Sequence, residues 1–74
     1  MNAKQAKRIA INYLSARRTS RGYRYHDCGT QSEWVSPVRD LVRLGRMLRA
    51  QDGEFGHDAY SRWCSQTVAR EVRS

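Results

Sequence analysis

Apolar residues recur at helical spacing in three runs of the chain, with polar residues filling the positions between them. In the first run, Ala3, Ala6, Ile9, Ala10, Tyr13 and Leu14 fall on one side of a helix, and Lys4, Arg8 and Asn12 fall on the other. Asn2, followed by Gln5 three residues later, makes a capping-box pattern, and the helix is expected to run to about Arg17 or Arg18. The alanines leave room for a second helix to come close. Ile11 stands off the apolar side, so it either meets the middle of the chain or a partner, or is simply exposed.

The second run, 34–51, has the longest apolar stripe. Val38, Leu41, Val42, Leu44, Gly45 and Leu48 share one side at about 100° per residue. Ser36 is the expected N-cap, and Pro37 fits the first helical position, where its missing N–H costs nothing. Asp40 suits the positive end of the helix dipole, and Arg46 and Arg49 suit the negative end. In the third run Tyr60, Trp63, Cys64 and Thr67 line one side, with Val68 at its edge. Arg62, Gln66, Arg70 and Arg73 face away, and Asp58 is the expected cap.

Residues 17–31 break the helical pattern. Gly22 and Gly29 bracket Tyr23-Arg24-Tyr25-His26, an alternation that reads as a short strand. Residues 31–35 either pair with it as a hairpin or form an ordered loop on the helices, with Ser32 capping a short turn as a further option. Asp52-Gly53 is a stop signal, Gly53 suits a left-handed helix end, and Phe55 is expected to anchor that loop in the core. The expectation is one small basic domain over 1–74, mainly α: three helices, with a short irregular or hairpin segment between the first and second.

Composition sharpens this. Leu, Ile, Val and Phe total 12 of 74 residues and the net charge is +7, which leans toward disorder; two Trp, four Tyr and the clear periodicity argue against it. The core must be thin. Of 14 basic residues 12 are arginine, whose planar fork pairs bidentately with phosphate or carboxylate. Such a chain expects an acidic partner: nucleic acid or an acidic protein surface. No stretch reaches the roughly 18 apolar residues of a membrane span. The first helix is too alanine-rich on its apolar side to insert into a lipid surface. With no apolar signal segment, the protein is expected to be cytoplasmic, with its two cysteines as free thiols.

Two arginine clusters are the candidate binding residues. Arg39, Arg43 and Arg46 follow at i, i+4 and i+7 beside the apolar stripe of the second helix, where a row of guanidiniums suits successive phosphates. The alternative is a solvated face with only Asp40 to pair with. Arg17, Arg18, Arg21 and Arg24 interleave with Tyr23 and Tyr25, a composition that suits single-stranded nucleic acid, with rings stacking on bases. The alternative here is that both rings belong to the core. Known nucleic-acid signatures are absent: no RNP-type sequence, no GXXG loop, no tight turn of a helix-turn-helix. His26, Cys28, His57 and Cys64 are the residue types of a structural zinc, but their spacings match no finger, so no metal or cofactor is expected. A Cys–His nucleophile pair would be drawn from the same four residues, with Asp27, Glu54 or Asp58 orienting the His. No phosphate loop or paired-carboxylate motif accompanies it, and no enzyme is expected.

In size, charge and lack of motif, the chain is similar to short accessory proteins of bacteriophages and mobile elements. That resemblance implies a second class of function: an anti-defence, anti-CRISPR-like inhibitor whose arginines dock on an acidic surface of a host protein or nucleic-acid-processing complex. Gly45 also offers the second helix a place to pack against its own copy as a homodimer.

Overall fold

The capping box at Asn2 forms as its spacing predicts. Gln5 N–H donates to Asn2 Oδ1 at 2.8 Å, and Asn2 N–H donates to Gln5 Oε1 at 3.2 Å. It opens α1, Ala3–Leu14, in a computed structural model that describes residues 2–27, 32–50, 56–67 and 70–72. Then follow β1 (Arg17–Thr19), β2 (Gly22–His26), β3 (Glu33–Ser36), α2 (Val38–Ala50), α3 (Gly56–Gln66) and β4 (Arg70–Val72). The expectations for Cys28, Gly29, Gly53, Phe55, Val68 and Arg73 lie outside the described residues.

The mainly helical, three-helix expectation is overturned. The chain is an α+β fold in which the helices pack with an antiparallel sheet of strand order β1-β2-β3-β4. Three local features account for the difference. Ser15 takes a left-handed φ of 55° and donates its N–H to the Ile11 carbonyl, which ends α1 before Arg17. β1 is exposed at all three positions, so it carries no apolar alternation to reveal it. Arg70, assigned by pattern to the third helix, instead belongs to β4.

The helix starts shift too. Pro37 accepts the first helical bonds of α2, from Asp40 N–H at 3.0 Å and Leu41 N–H at 3.4 Å, so it holds the cap position expected for Ser36. Ser36 ends β3 instead, fully buried, and shares a 3.2 Å hydrogen bond with the Tyr25 hydroxyl. Asp58 lies in the first turn of α3 rather than at its cap.

Register sorts the sheet into two faces. Tyr23 opposes Ser36 and Tyr25 opposes Trp34; Arg24 opposes Val35 and His26 opposes Glu33. The first set faces the helices, and the second faces outward. Ala10, Tyr25, Leu41, Leu44, Leu48, Ala59 and Trp63 form the core, with Ile11 half-buried against it. Few aliphatic side chains are available, and rings fill much of the space. Tyr13–Tyr60, Tyr60–Trp63 and Tyr25–Trp63 have centroids 5.9, 6.0 and 5.8 Å apart, a chain of tilted contacts from α1 through α3 to the sheet.

The α1–α2 contact is close because small residues meet there. Ala6, Ala10 and Gly45 are all buried, and a Cβ on Gly45 would overlap the Ala6 carbonyl oxygen. Gly45 is thus occupied within the chain and is not free to pack against a second copy.

Gly45→Ala is therefore a sign test. Helix propensity alone would favour alanine by about 1 kcal/mol. Forcing the two backbones apart costs about 1–3 kcal/mol or more. We expect net destabilisation, read as a lower urea midpoint with an unchanged slope.

Candidate functional site

Arg39, Arg43 and Arg46 lie on the side of α2 opposite its buried stripe of Asp40, Leu41, Leu44, Gly45 and Leu48. They are not equivalent. Arg39 and Arg46 are exposed. Arg43 is half-buried, with Nη2 3.8 Å from Asp40 Oδ1, and its Nε and Nη2 have no hydrogen-bond partner. Asp40 is only 6% exposed. Its Oδ2 accepts from Thr67 Oγ1 at 2.8 Å, and its main-chain carbonyl accepts from Trp63 Nε1 at 2.7 Å. Arg43 thus supplies the cation beside a buried carboxylate that ties α2 to α3. Among the described residues, Arg39 and Arg46 have no carboxylate within 4 Å.

The hairpin arginines divide by strand register. Arg17 and Arg24 are directly opposed on the outer face. There Glu33 takes Arg24 Nε at 3.4 Å and His26 Nε2 at 3.2 Å. Arg18 opposes Tyr23 on the helix side, yet it is exposed, because the helices do not cover β1. Lys7 of α1 places its Nζ 5.9 Å from the centroid of the Tyr23 ring. That lysine was missed in the sequence reading; its signal was its i, i+4 relation to Ile11, which marked a second contact line on α1.

Arg21 sits in the turn between β1 and β2. Thr19 Oγ1 ties that turn, donating to the Gly22 carbonyl at 2.9 Å and accepting from Arg21 N–H at 3.2 Å. Gly22 has φ of 137°, and a Cβ there would stand 2.5 Å from the Ser36 carbonyl oxygen and 3.5 Å from Pro37 Cα. Only glycine lets the turn press against the start of α2. The contact brings the Arg21 turn beside the first turn of α2, which carries Arg39, so the two arginine clusters meet at this end of the molecule.

The stacking role read for the tyrosines is corrected for Tyr25. Its ring is 3% exposed in the core, and burial pushes its hydroxyl up to about 12, opposed by the Ser36 hydrogen bond. Burial raises Tyr60 as well, followed in effect by its contact with Cys64. Tyr23 is half-buried against the core. Both rings point inward because they are two residues apart on one strand.

Among the described residues, His26 and Cys64 are not brought together. His26 lies on the outer sheet face, whereas Cys64 lies across the sheet, with Tyr25, Asp27, Trp34, Tyr60 and Thr67 around a cavity of about 100 Å³. Cys28 and the His57 side chain lie outside the described residues. Among the described residues, no carboxylate lies within 4 Å of Arg17, Arg18, Arg21, Arg39 or Arg46. What the arrangement offers chemically is fixed positive charge, with five N–H donors on each guanidinium. Comparison of the chain with protein-family models, with curated proteins and with solved structures finds no match.

Two stability predictions follow from the buried groups. Asp40→Ala strands Thr67 and Arg43 and should cost about 2–3 kcal/mol by urea unfolding, as expected for a charged hydrogen-bonding group. For Tyr25 the folded-state value lies above the unfolded value of 10.0, so its contribution is complete below pH 10 and is lost as pH rises toward 12. At pH 11 stability should be lower than at pH 8 by about 1.4 kcal/mol from this tyrosine alone. The phenolate absorbance that wild type gains over Tyr25→Phe should then rise with unfolding rather than ahead of it.

Proposed function

We propose that this protein is a non-catalytic binding protein that holds the phosphate backbone of nucleic acid through its arginines. The observation that carries the reading is the exposed pair Arg39 and Arg46, opposite the buried stripe, with no carboxylate within 4 Å of either among the described residues. Seven residues of helix separate them by about 10.5 Å. That length covers about three phosphates of one strand at a rise of about 3.4 Å. The Gly22 contact supports extension of this track through Arg21 to Arg17, Arg18 and Arg24.

The aromatic side of the sheet argues for duplex over single strand. Tyr25 and Trp63 are buried, and Tyr23, Trp34 and Tyr60 pack against the core, so the sheet offers no open stacking platform. Affinity then rests on phosphates and is largely indifferent to sequence.

The test is fluorescence anisotropy against short duplexes at 50 and 200 mM salt. Each phosphate-binding arginine removed should lower the salt slope by about 1, so Arg39→Ala/Arg46→Ala should lower it by about 2, similarly for every sequence. Arg43→Ala should act mainly through stability, because it uncovers Asp40. An unchanged slope in the double variant would sink the reading. Absence of duplex binding even at 50 mM would instead favour an acidic protein surface as the partner, as in the inhibitor class.

A further inference from the structure

The cavity of about 100 Å³ between the inner face of the sheet and α3 takes no part in the arginine clusters. Tyr25 of β2, Asp27 just beyond it, Trp34 of β3, Tyr60 and Cys64 of α3, and Thr67 after it line the space. Three of these are aromatic and one is an acid. No lysine or arginine lies among the described lining residues, although the chain carries a net charge of +7. Cys64 is exposed, and Asp27, Trp34, Tyr60 and Thr67 are half-buried, so the cavity is within reach of solvent.

The hydrogen-bonding groups of this lining are largely committed elsewhere. The Tyr25 hydroxyl shares a 3.2 Å bond with Ser36, and Thr67 Oγ1 donates to Asp40 at 2.8 Å. The Tyr60 hydroxyl is hydrogen-bonded to Cys64. Trp34 Nε1 is buried, whereas a nitrogen facing a cavity wide enough for water would be accessible, so Trp34 presents carbon to the space. Ring surface and the Asp27 carboxylate are what remain for an occupant. Aromatic faces carry the negative end of a quadrupole. Burial is the main cause of the upward shifts of Tyr25, Tyr60 and Cys64, and at all three the negative field of Asp27 adds to it. A field that opposes further negative charge favours positive charge in the same place.

We propose that this cavity holds a methylated ammonium group, with Tyr25, Trp34 and Tyr60 as walls and Asp27 as the counter-charge. The attraction is that of a cation for aromatic rings, strengthened where water is excluded. Methylation removes the N–H donors of a bare ammonium, which this lining has few acceptors to satisfy. Volume sets the size of the occupant. A water takes up about 30 Å³ of liquid, so the space accepts about three groups of that size. That suits the head of a small quaternary amine and falls short of the roughly 300–1,000 Å³ pockets of drug-sized ligands. The site goes beyond the phosphate reading and does not depend on it.

The experiment titrates the full chain with choline and, separately, with its uncharged tert-butyl isostere, in which carbon replaces the quaternary nitrogen. Ionic strength is matched, and binding is read by saturation-transfer NMR of the ligand methyl protons. Choline should bind saturably and at least about tenfold tighter than the isostere. Asp27→Asn should weaken choline several-fold and leave the isostere unchanged, and Tyr60→Leu should weaken choline as well. Urea midpoints check that both variants fold; should Tyr60→Leu fail, wild type and Asp27→Asn still decide. Equal affinity for the two ligands would make the cavity merely apolar and overturn the proposal. Absence of saturable choline binding would overturn it too, as would choline binding that Asp27→Asn leaves untouched. Duplex binding is read separately, so none of these outcomes bears on the arginines.

Discussion

Asp40 holds α3 with both of its oxygen-bearing groups. The main-chain carbonyl takes the Trp63 indole N–H, and the carboxylate takes the Thr67 hydroxyl. Trp63 in turn touches Tyr25 of the sheet and Tyr60 of its own helix. One turn of α2 thereby fixes the position of α3 and, through a single indole, the seat of the sheet. A chain of this length buries only roughly 60% of its unfolded surface, and here the buried aliphatic residues among those described are three leucines and three small alanines. Directional contacts have to orient what apolar area alone would leave loose.

The same carboxylate shapes the candidate site. A buried negative charge needs a cation close by, and Arg43 fills that role from the middle of the arginine row. The row therefore mixes two functions at helical spacing: a structural counter-ion in the centre and free charge on either side. Arginine suits both, since its planar fork can pair with a carboxylate or with a phosphate.

The parts of this fold legible in the sequence are those set by residues close along the chain. The Asn2–Gln5 cap, the α2 stripe and the alanine side of α1 all depend on neighbours within a turn or two. The sheet was legible at Tyr23 to His26 and, as one of the options for 31–35, in the pairing of that stretch with it. β1 and β4 are short and polar and owe their extended form to pairing with strands elsewhere in the chain, a signal that periodicity does not carry. The site shows the same division. Its arginines could be named from spacing, and the Asp40–Arg43 pair follows from i, i+3. The Gly22 contact that joins the clusters could not be, because it depends on β2 meeting the end of β3. Period two also meant that Tyr23 and Tyr25 had to share one fate; the fold sends both toward the core.

The free arginines stand apart from everything that holds the fold. Substitutions at such exposed sites typically shift stability by no more than about 0.5 kcal/mol. Gly22, Gly45, Asp40 and Trp63 have no such latitude, being tied by backbone contact or buried hydrogen bonds. Shape and charge are thus written in separate residues of this chain. Over generations the charge of its surface can be redrawn by single changes, with the scaffold beneath it left intact.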